Sequence, residues 1–476
     1  MNQKLTVIII LTTISAFFSQ VLLGNHAWGT DPSIFQQRSV HSASVEPHTI
    51  YLPIIQTTDG AFFVSTTGSD GNPGTASAPW KTLQYAVNHA PAGGTVYIRA
   101  GEYTGFTLTR SDLTLSSYAG ETAYIHGNGE DTYTVKILNS DHIVLSGIVF
   151  HDNQKQYSAG VYVENSTSIA LTENIFYDHQ GFGIVTKNVS DVSIEGNDLY
   201  DNANAIEIRY GSAGVVIMNN KIHDNSRSVD SGRGAIGVTF YRTTGPVTAI
   251  GNQLWGNHST GEADPEGAAF EVYAGGNVAM IGNTIWENET VLETGTDGQT
   301  SCSNITFKRN VVYRLTRQQG LILRCASNSM IANNTFDGLD EFVFYLTHFD
   351  GEYGGSIEGL KILNNIAVNG RVYSIESTLP ASVEINHNLV YNPGSSSIRG
   401  EYLAYVKGKG NTKDLSEFQD WTGYDLLSVS LLPMFSDAAS RNYHLLFTSP
   451  AIDIGKNIGE PFIGLAPDAG AFEYSP

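Results

Sequence analysis

The chain has 476 residues, 49 of them Gly and 24 Tyr, and a formal net charge of −21. So acidic a chain lacks the basic footprint that phosphate binding needs, so no nucleic-acid partner is expected. It would also repel a polyanionic sugar except where a cation or local Arg and Lys offset the charge. A charged content of only 15% with abundant glycine suits a turn-rich all-β protein.

In chain order, one Lys and an apolar stretch from Leu5 to Phe18 come first. That length fits a signal peptide over 1–27 better than a transmembrane span, with a retained N-terminal anchor as the alternative. No other segment is long and apolar enough to cross a membrane, so the mature chain is expected without a span, secreted or at the cell surface. Residues 28–60 read as a linker. The run FFVSTTGSDGNPGTASAPW then reads as a strand and a Gly/Pro/Ser loop. KTLQYAVNHA follows as an amphipathic helix with Leu83, Ala86, Val87 and Ala90 on one side, and GGTVYIRAGEYTG returns to strand.

From there an asparagine recurs in one short context, at Asn174, Asn197, Asn220, Asn252, Asn283, Asn310, Asn334, Asn365 and Asn388. The steps are 23, 23, 32, 31, 27, 24, 31 and 23. A fixed minimum with occasional excess marks a solenoid with insertions at some coils. Short alternating apolar runs such as VSIEG, AIEIRY and GLILRC read as strands of a few residues. The expected fold is all-β, a right-handed parallel β-helix over 61–392, with the helix as its N-terminal lid and 393–476 as an irregular C-terminal cap. Stacked turns let a buried Asn amide bond to its copies above and below. Cys302 and Cys325 lie 8 and 9 residues before the next ladder Asn, so they should sit on adjacent coils about 4.8 Å apart. That spacing admits a disulfide, with two buried thiols as the alternative.

The excess residues locate the elaborated side. NSRSVDSGR and HSTGEADPEG precede one strand column, whereas TDGQTS and FDGEYGGS follow it. Walls on both flanks make the outward face of that column a groove floor. Alternation assigns Glu207, Gly237, Glu271 and Glu293 to one outward column and Lys187, Arg209, Thr239, Tyr273, Gly295 and Arg324 to the next. Gly237 is expected to leave a gap that admits a sugar or water. Glu271 and Glu293 fall one coil apart, about 4.8 Å. Carboxylates that close repel, so one is protonated or a cation such as Ca²⁺ sits between them. The first state suits a glycosidase using two of Glu207, Glu271 and Glu293. Arg209, Arg324 and Lys187 are candidates for holding a uronate carboxylate. Tyr241, Tyr273 and Trp255 are candidates for stacking on sugar rings, and Arg233 and His348 for reaching the substrate. The loop acids Glu262, Asp264 and Glu266 are further cation candidates. An outward Glu is equally a residue that simply pairs with an Arg on the next coil.

The run from FFVSTTGSDGNPGT to PWKTLQYAVNHAPAGGTVYIRAGEY resembles the opening of secreted right-handed β-helix proteins of the pectate-lyase-like superfamily. SPAIDIG and APDAGAFEY resemble the choice-of-anchor ending of bacterial surface β-helix proteins. The stretch from LETG to GLILRCASNSMIANNTF is similar to the groove strands of the alginate lyase and chondroitinase B branch. That likeness implies a carboxylate role for Glu293 and a catalytic role for Arg324. The lysine that the branch carries shortly after the carboxylate is absent from Gly295–Gly298. The resemblances imply a secreted, monomeric protein that cleaves a polysaccharide, foremost a lyase on a uronate-containing glycan. A glycoside hydrolase and a non-catalytic glycan-binding or surface solenoid are the alternatives.

Overall fold

The computed structural model describes residues 60–475, apart from 128–130, 231–232, 260–266, 299, 301, 314–318, 340, 349–354 and 395–399. The expected signal peptide and almost all of the linker therefore lie outside the described residues, as do Glu262, Asp264 and Glu266. Three long sheets make up the body. Sheet 1 runs from Ala61–Val64 to Glu384–Asn386, sheet 2 from Gly101–Thr104 to Leu389–Tyr391, and sheet 3 from Phe106–Leu108 to Gly410–Thr412. Among the described residues they hold 13, 12 and 13 strands. Each strand pairs in parallel with strands of the same sheet one coil before and one coil after, and only the last pair of sheet 3 is antiparallel. This is a right-handed parallel β-helix.

One coil shows how the sequence closes it. Phe182–Lys187 lies in sheet 3, Ser190–Glu195 in sheet 1, Asp198–Tyr200 in sheet 2, and Asn204–Arg209 returns to sheet 3. Alternate residues point inward and stack from coil to coil: Ile184, Ile206, Val238, Phe270, Leu292 and Leu321 are in register and fully buried. Each such side chain contributes roughly 1.5–3 kcal/mol of burial. A one-residue slip would turn the whole column outward, which fixes the register.

The asparagine ladder runs along the turn between sheets 1 and 2. The Oδ1 of Asn220 accepts from the backbone N–H and the Nδ2 of Asn197, at 2.9 and 3.0 Å, and Asn220 repeats this toward Asn252. Each residue before a ladder Asn is left-handed, for example Gly196, Asn219 and Gly251 at φ 65°, 55° and 66°. Glycine, or an Asn whose amide can bond locally, suits that conformation. The last rung needs only an acceptor, and Asp425 supplies it, Oδ1 lying 2.9 Å from Asn388 Nδ2.

A second ladder, five residues after the first, runs between sheets 2 and 3 through Asn202, Asn225, Asn257 and Asn288. Between the ladders the short strands of sheet 2 carry an outward aromatic column: His151, Tyr177, Tyr200, His223, Trp255, Trp286 and Tyr313, with successive ring centroids 4.1–5.6 Å apart and planes within 17°.

The two ends are treated differently. At the start, the helix Leu83–His89, capped by the Thr82 hydroxyl, buries Leu83, Ala86 and Val87 against the first coils. At the other end, the helix Leu415–Thr422 inserts Phe418, stacked at 4.7 Å on the buried Tyr373. The expectation that all of 393–476 caps the end is corrected: sheet 3 continues through Ala404–Val406, and the segment after Asp425 turns back along the solenoid flank. It docks on the left-handed residues that precede the ladder. Asn333 and Asn364 donate to the carbonyls of Asp468 and Lys456, the His387 ring meets the Ile454 carbonyl, and Arg309 pairs with Glu460 at 3.1 Å. Side chains at these positions, Arg309, Asn333, Asn364 and His387, thus hold the returning segment.

Candidate functional site

The excess residues lie in the connections that flank the strands of sheet 3. Residues 224–235 and 256–267 enter sheet 3 strands from sheet 2, and 296–302 and 347–360 leave them toward sheet 1. The outward column of this face, in backbone register, is Lys136, Tyr162, Val185, Glu207, Thr239, Glu271, Glu293, Ile322, Tyr345, Ser374 and Tyr405. Beside it Arg209, Tyr241, Tyr273 and Gly295 form the flanking column, with Lys187 one coil before and Arg324 one coil after.

Two slots differ from the sequence expectation. Thr239, not Gly237, lies between Glu207 and Glu271, and Tyr241, not Thr239, follows Arg209. Gly237 faces the interior, where a Cβ would stand 2.7 Å from the Ala269 carbonyl oxygen and 3.1 Å from Leu254. The strand begins one alternation earlier than the glycine suggested, so there is no gap at that rung. Gly295 does stand on the outward face, with the Tyr273 ring 3.6 Å from where its Cβ would be. Trp255 is on sheet 2, stacked between His223 and Trp286, and does not share this face. Because the rings of that column cover one another's faces, only edges remain for solvent, which is not the geometry that stacks on a sugar.

Each acidic residue of the groove has a polar neighbour. The Arg209 guanidinium bonds Glu207 on the same strand. Arg324 Nη1 pairs with Glu293 at 2.8 Å across one coil. The Thr239 hydroxyl donates to Glu271 at 3.3 Å, and Lys187 Nζ pairs with Glu164 at 2.7 Å. Burial works against the Arg209 charge, but Glu207 more than offsets it and its pKa lies above the ordinary value. Lys187 is raised by its bond to Glu164, whose own pKa is held low by that lysine. Tyr162, two coils before Glu207, is pushed up to about 12 by burial and by Glu164. Tyr241 and Tyr273 stack at 6.0 Å, and Arg242, 5.3 Å from the Tyr241 ring, pairs with Asp297 at 2.5 Å. These last four residues form one wall.

Glu207, Arg209, Glu271, Glu293, Arg324, Lys187, Tyr241 and Tyr273 are thus on one face. Two further candidates are not. His348 follows the strand Phe344–Leu346 by two residues and belongs to neither column; its backbone N–H donates to Ser377, and its Nδ1 is buried without a partner. Arg233 lies on the small antiparallel hairpin of 228–234, opposite Asp230, and its side chain is outside the described residues. Cys302 and Cys325 are joined as a disulfide with Cα atoms 5.1 Å apart. Glu271 and Glu293 offer two carboxylates, one already bonded to a guanidinium, where Ca²⁺ takes six to eight oxygens. No group of three or more His, Cys, Asp or Glu comes together among the described residues.

The aromatic terminus of the groove was not anticipated from the sequence. Tyr345 and Tyr405 continue the outward column beyond Glu293, and the only signal for them was the coil register carried past Arg324.

The description "Pel9A-like, right handed beta helix region" matches residues 62–341. An uncharacterized protein, YwoF of Bacillus subtilis (strain 168), is 33% identical over 128 residues, covering 24% of this chain and 27% of that protein. Pectate lyase PEL9 of Emericella nidulans is 40% identical over 73 residues, covering 14% of this chain and 18% of that protein. The matches thus span about a quarter or less of these relatives. The crystal structure of pectate lyase Pel9A superposes with a TM-score of 0.53 at 17% identity, covering 87% of this chain and 96% of that one, a likeness of fold. With that family model matching more than half of its length, over residues 62–341, the chain belongs to the Pel9A-like right-handed β-helix family.

Proposed function

We propose that this is an exported polysaccharide lyase that lays a uronate-containing glycan along the outer face of sheet 3. The reading rests on one observation above the others: in the outward columns, carboxylates and guanidiniums alternate over neighbouring coils, with Glu207–Arg209 and Glu293–Arg324 on either side of Glu271. Elimination needs the proton on C5, next to the uronate carboxyl, to leave as the C4–O bond breaks. Charge accumulates on that carboxylate in the transition state, and oriented guanidiniums stabilise it there. Arg324 is held by Glu293 through one of its five donors, which leaves others to face the sugar. Glu271, accepting from the Thr239 hydroxyl and one coil from the Glu293–Arg324 pair, is the general base in this scheme. The family membership and the pectate lyase name of two of the proteins it resembles support a carbohydrate-active role.

The test is a panel of polyuronates and neutral glycans. Elimination yields an unsaturated uronate that absorbs in the ultraviolet, whereas hydrolysis yields new reducing ends without absorbance. Replacing Glu271 by Gln should lower the rate by about 10²–10⁴, the contribution usual for a positioned base. Reducing ends without absorbance would move the reading to a hydrolase using Glu271 and Glu293, whose one-coil spacing suits a retaining pair. Binding without cleavage of any glycan would leave a glycan-binding solenoid. A calcium requirement is read separately: loss of activity on chelation, restored by calcium alone, is the sign of it.

A further inference from the structure

Past Arg324 the groove changes character. Two to four coils beyond Glu293, in the same outward column, lie Tyr345, Ser374 and Tyr405. At about 4.8 Å per coil, that places them roughly 10–19 Å along the groove from the paired carboxylates. Here the face opens into a cleft of about 520 Å³, within the range of small-molecule sites. Tyr345 and Ser374 line it from solenoid strands, and Tyr405 and Asn411, which face each other across the antiparallel pair that ends sheet 3, line it from the hairpin.

The lining pairs aromatic surface with hydrogen-bonding groups, and its charge is the telling part. Tyr345, Tyr402 and Tyr405 are half-exposed. Glu341 and Glu376 bring two carboxylates, against the single guanidinium of Arg371. Arg371 is almost fully buried and donates to Asn411 at 3.2 Å, so it ties the hairpin to the solenoid. Glu376 accepts from Ser374 at 2.9 Å. Burial raises the Tyr345 pKa; Glu376 adds to the shift and Arg324 opposes it, which joins this cleft electrostatically to the central pairs. A uronate here would bring a third negative charge against one cation already bonded. Sugar hydroxyls, by contrast, are donors that carboxylates accept without that penalty, and the tyrosine rings offer apolar surface for the C–H face of a pyranose.

We propose that this cleft is a subsite for an uncharged sugar residue, so that the glycan held on sheet 3 carries neutral pyranoses two to four coils from the uronate at Glu271 and Glu293. The inference rests on the reading of sheet 3 as a glycan groove, and its test is separable from that reading because it uses binding rather than cleavage.

The full chain is titrated calorimetrically with xylohexaose, β-1,4-galactohexaose and hexagalacturonate. Tyr405→Ala and Glu376→Gln probe the cleft, and Glu271→Gln probes the central pairs. At least one neutral hexasaccharide should bind, weakened tenfold or more in Tyr405→Ala and in Glu376→Gln but within twofold of wild type in Glu271→Gln. Glu376→Gln keeps size and shape, so it carries the test should the tyrosine variant not fold. Neutral sugars that fail to bind, or that bind both cleft variants as well as wild type, overturn the subsite, even where hexagalacturonate binding still depends on Glu271. Neutral binding lost in the cleft variants, with no binding of hexagalacturonate, upholds the subsite and removes the uronate reading instead.

Discussion

Truncating one rung of the asparagine ladder tests the physical account of the fold most directly. Asn252 is 1% exposed. Its Oδ1 accepts from the Asn220 backbone N–H and Nδ2, each at 3.0 Å, and its Nδ2 donates to the Ile217 carbonyl at 2.9 Å and to Asn283 Oδ1 at 3.0 Å. Asn252→Ala removes all four. The Asn220 amide keeps its bond to the Ile194 carbonyl and the Asn252 backbone keeps its bond to Asn283, so the central loss is the orphaned Asn220 N–H. An unsatisfied buried donor costs about 1–3 kcal/mol, and the other three lost bonds add about 1 kcal/mol each before relaxation, giving roughly 4–6 kcal/mol in all. Guanidinium unfolding followed by tryptophan fluorescence reads this well, since Trp255 and Trp286 sit three residues after Asn252 and Asn283. The control is Asn304→Ala, which breaks an exposed amide rung to Asn277 and should cost under about 1 kcal/mol. Equal losses in the two variants would refute the claim that buried, fully bonded amides hold the coils.

Three other outcomes are expected. Reducing the Cys302–Cys325 disulfide opens a loop of 23 residues in sequence separation and should lower stability by about 3 kcal/mol, seen as a fall in melting temperature with reductant that the double serine variant does not show. His223 is partly desolvated, which disfavours its charge, but Asp198 and Asp224 bond both ring nitrogens at 2.9 and 2.8 Å and bring its pKa above 6.5. Its contribution is complete below pH 6.5 and lost as pH rises through the folded value, so wild type should lose stability across that window and His223→Tyr should not. Burial raises the Asp425 pKa against the bonds from Ser428, Tyr373 and Asn388. A raised carboxyl weakens the fold as pH climbs from 3.8 through the folded value, so Asp425→Asn should flatten that decline in thermal melts.

The solenoid was legible because its signals repeat. Nine asparagines and alternating apolar runs fix both the coil and the face on which Glu207, Glu271 and Glu293 stand. The second ladder was equally legible and passed unread: in GNDLYDN, NNKIHDN, GNQLWGN and GNTIWEN the later asparagine always follows the first by five, and an aromatic follows it by three. What the sequence could not settle was the register of AIGVTFY against its neighbours. A shift of two residues keeps the alternation, and only pairing with the neighbouring coils places Thr239 rather than Gly237 between Glu207 and Glu271. The returning C-terminal segment was beyond periodicity altogether, because its bonds reach from Lys456 and Asp468 to residues 92 and 135 positions earlier.

Because the first ladder repeats the same bonds through Asn310, Asn334 and Asn365 and the core column stays apolar, a whole coil can be gained or lost while its neighbours keep their register. The spacing between the carboxylate pairs and the tyrosine-lined cleft is therefore quantised. It changes only in steps of about 4.8 Å, with all side chains keeping their faces. Coil number between Arg324 and Tyr345 is thus a ruler that evolution, or a designer, can lengthen one notch at a time to match the repeat of a different glycan.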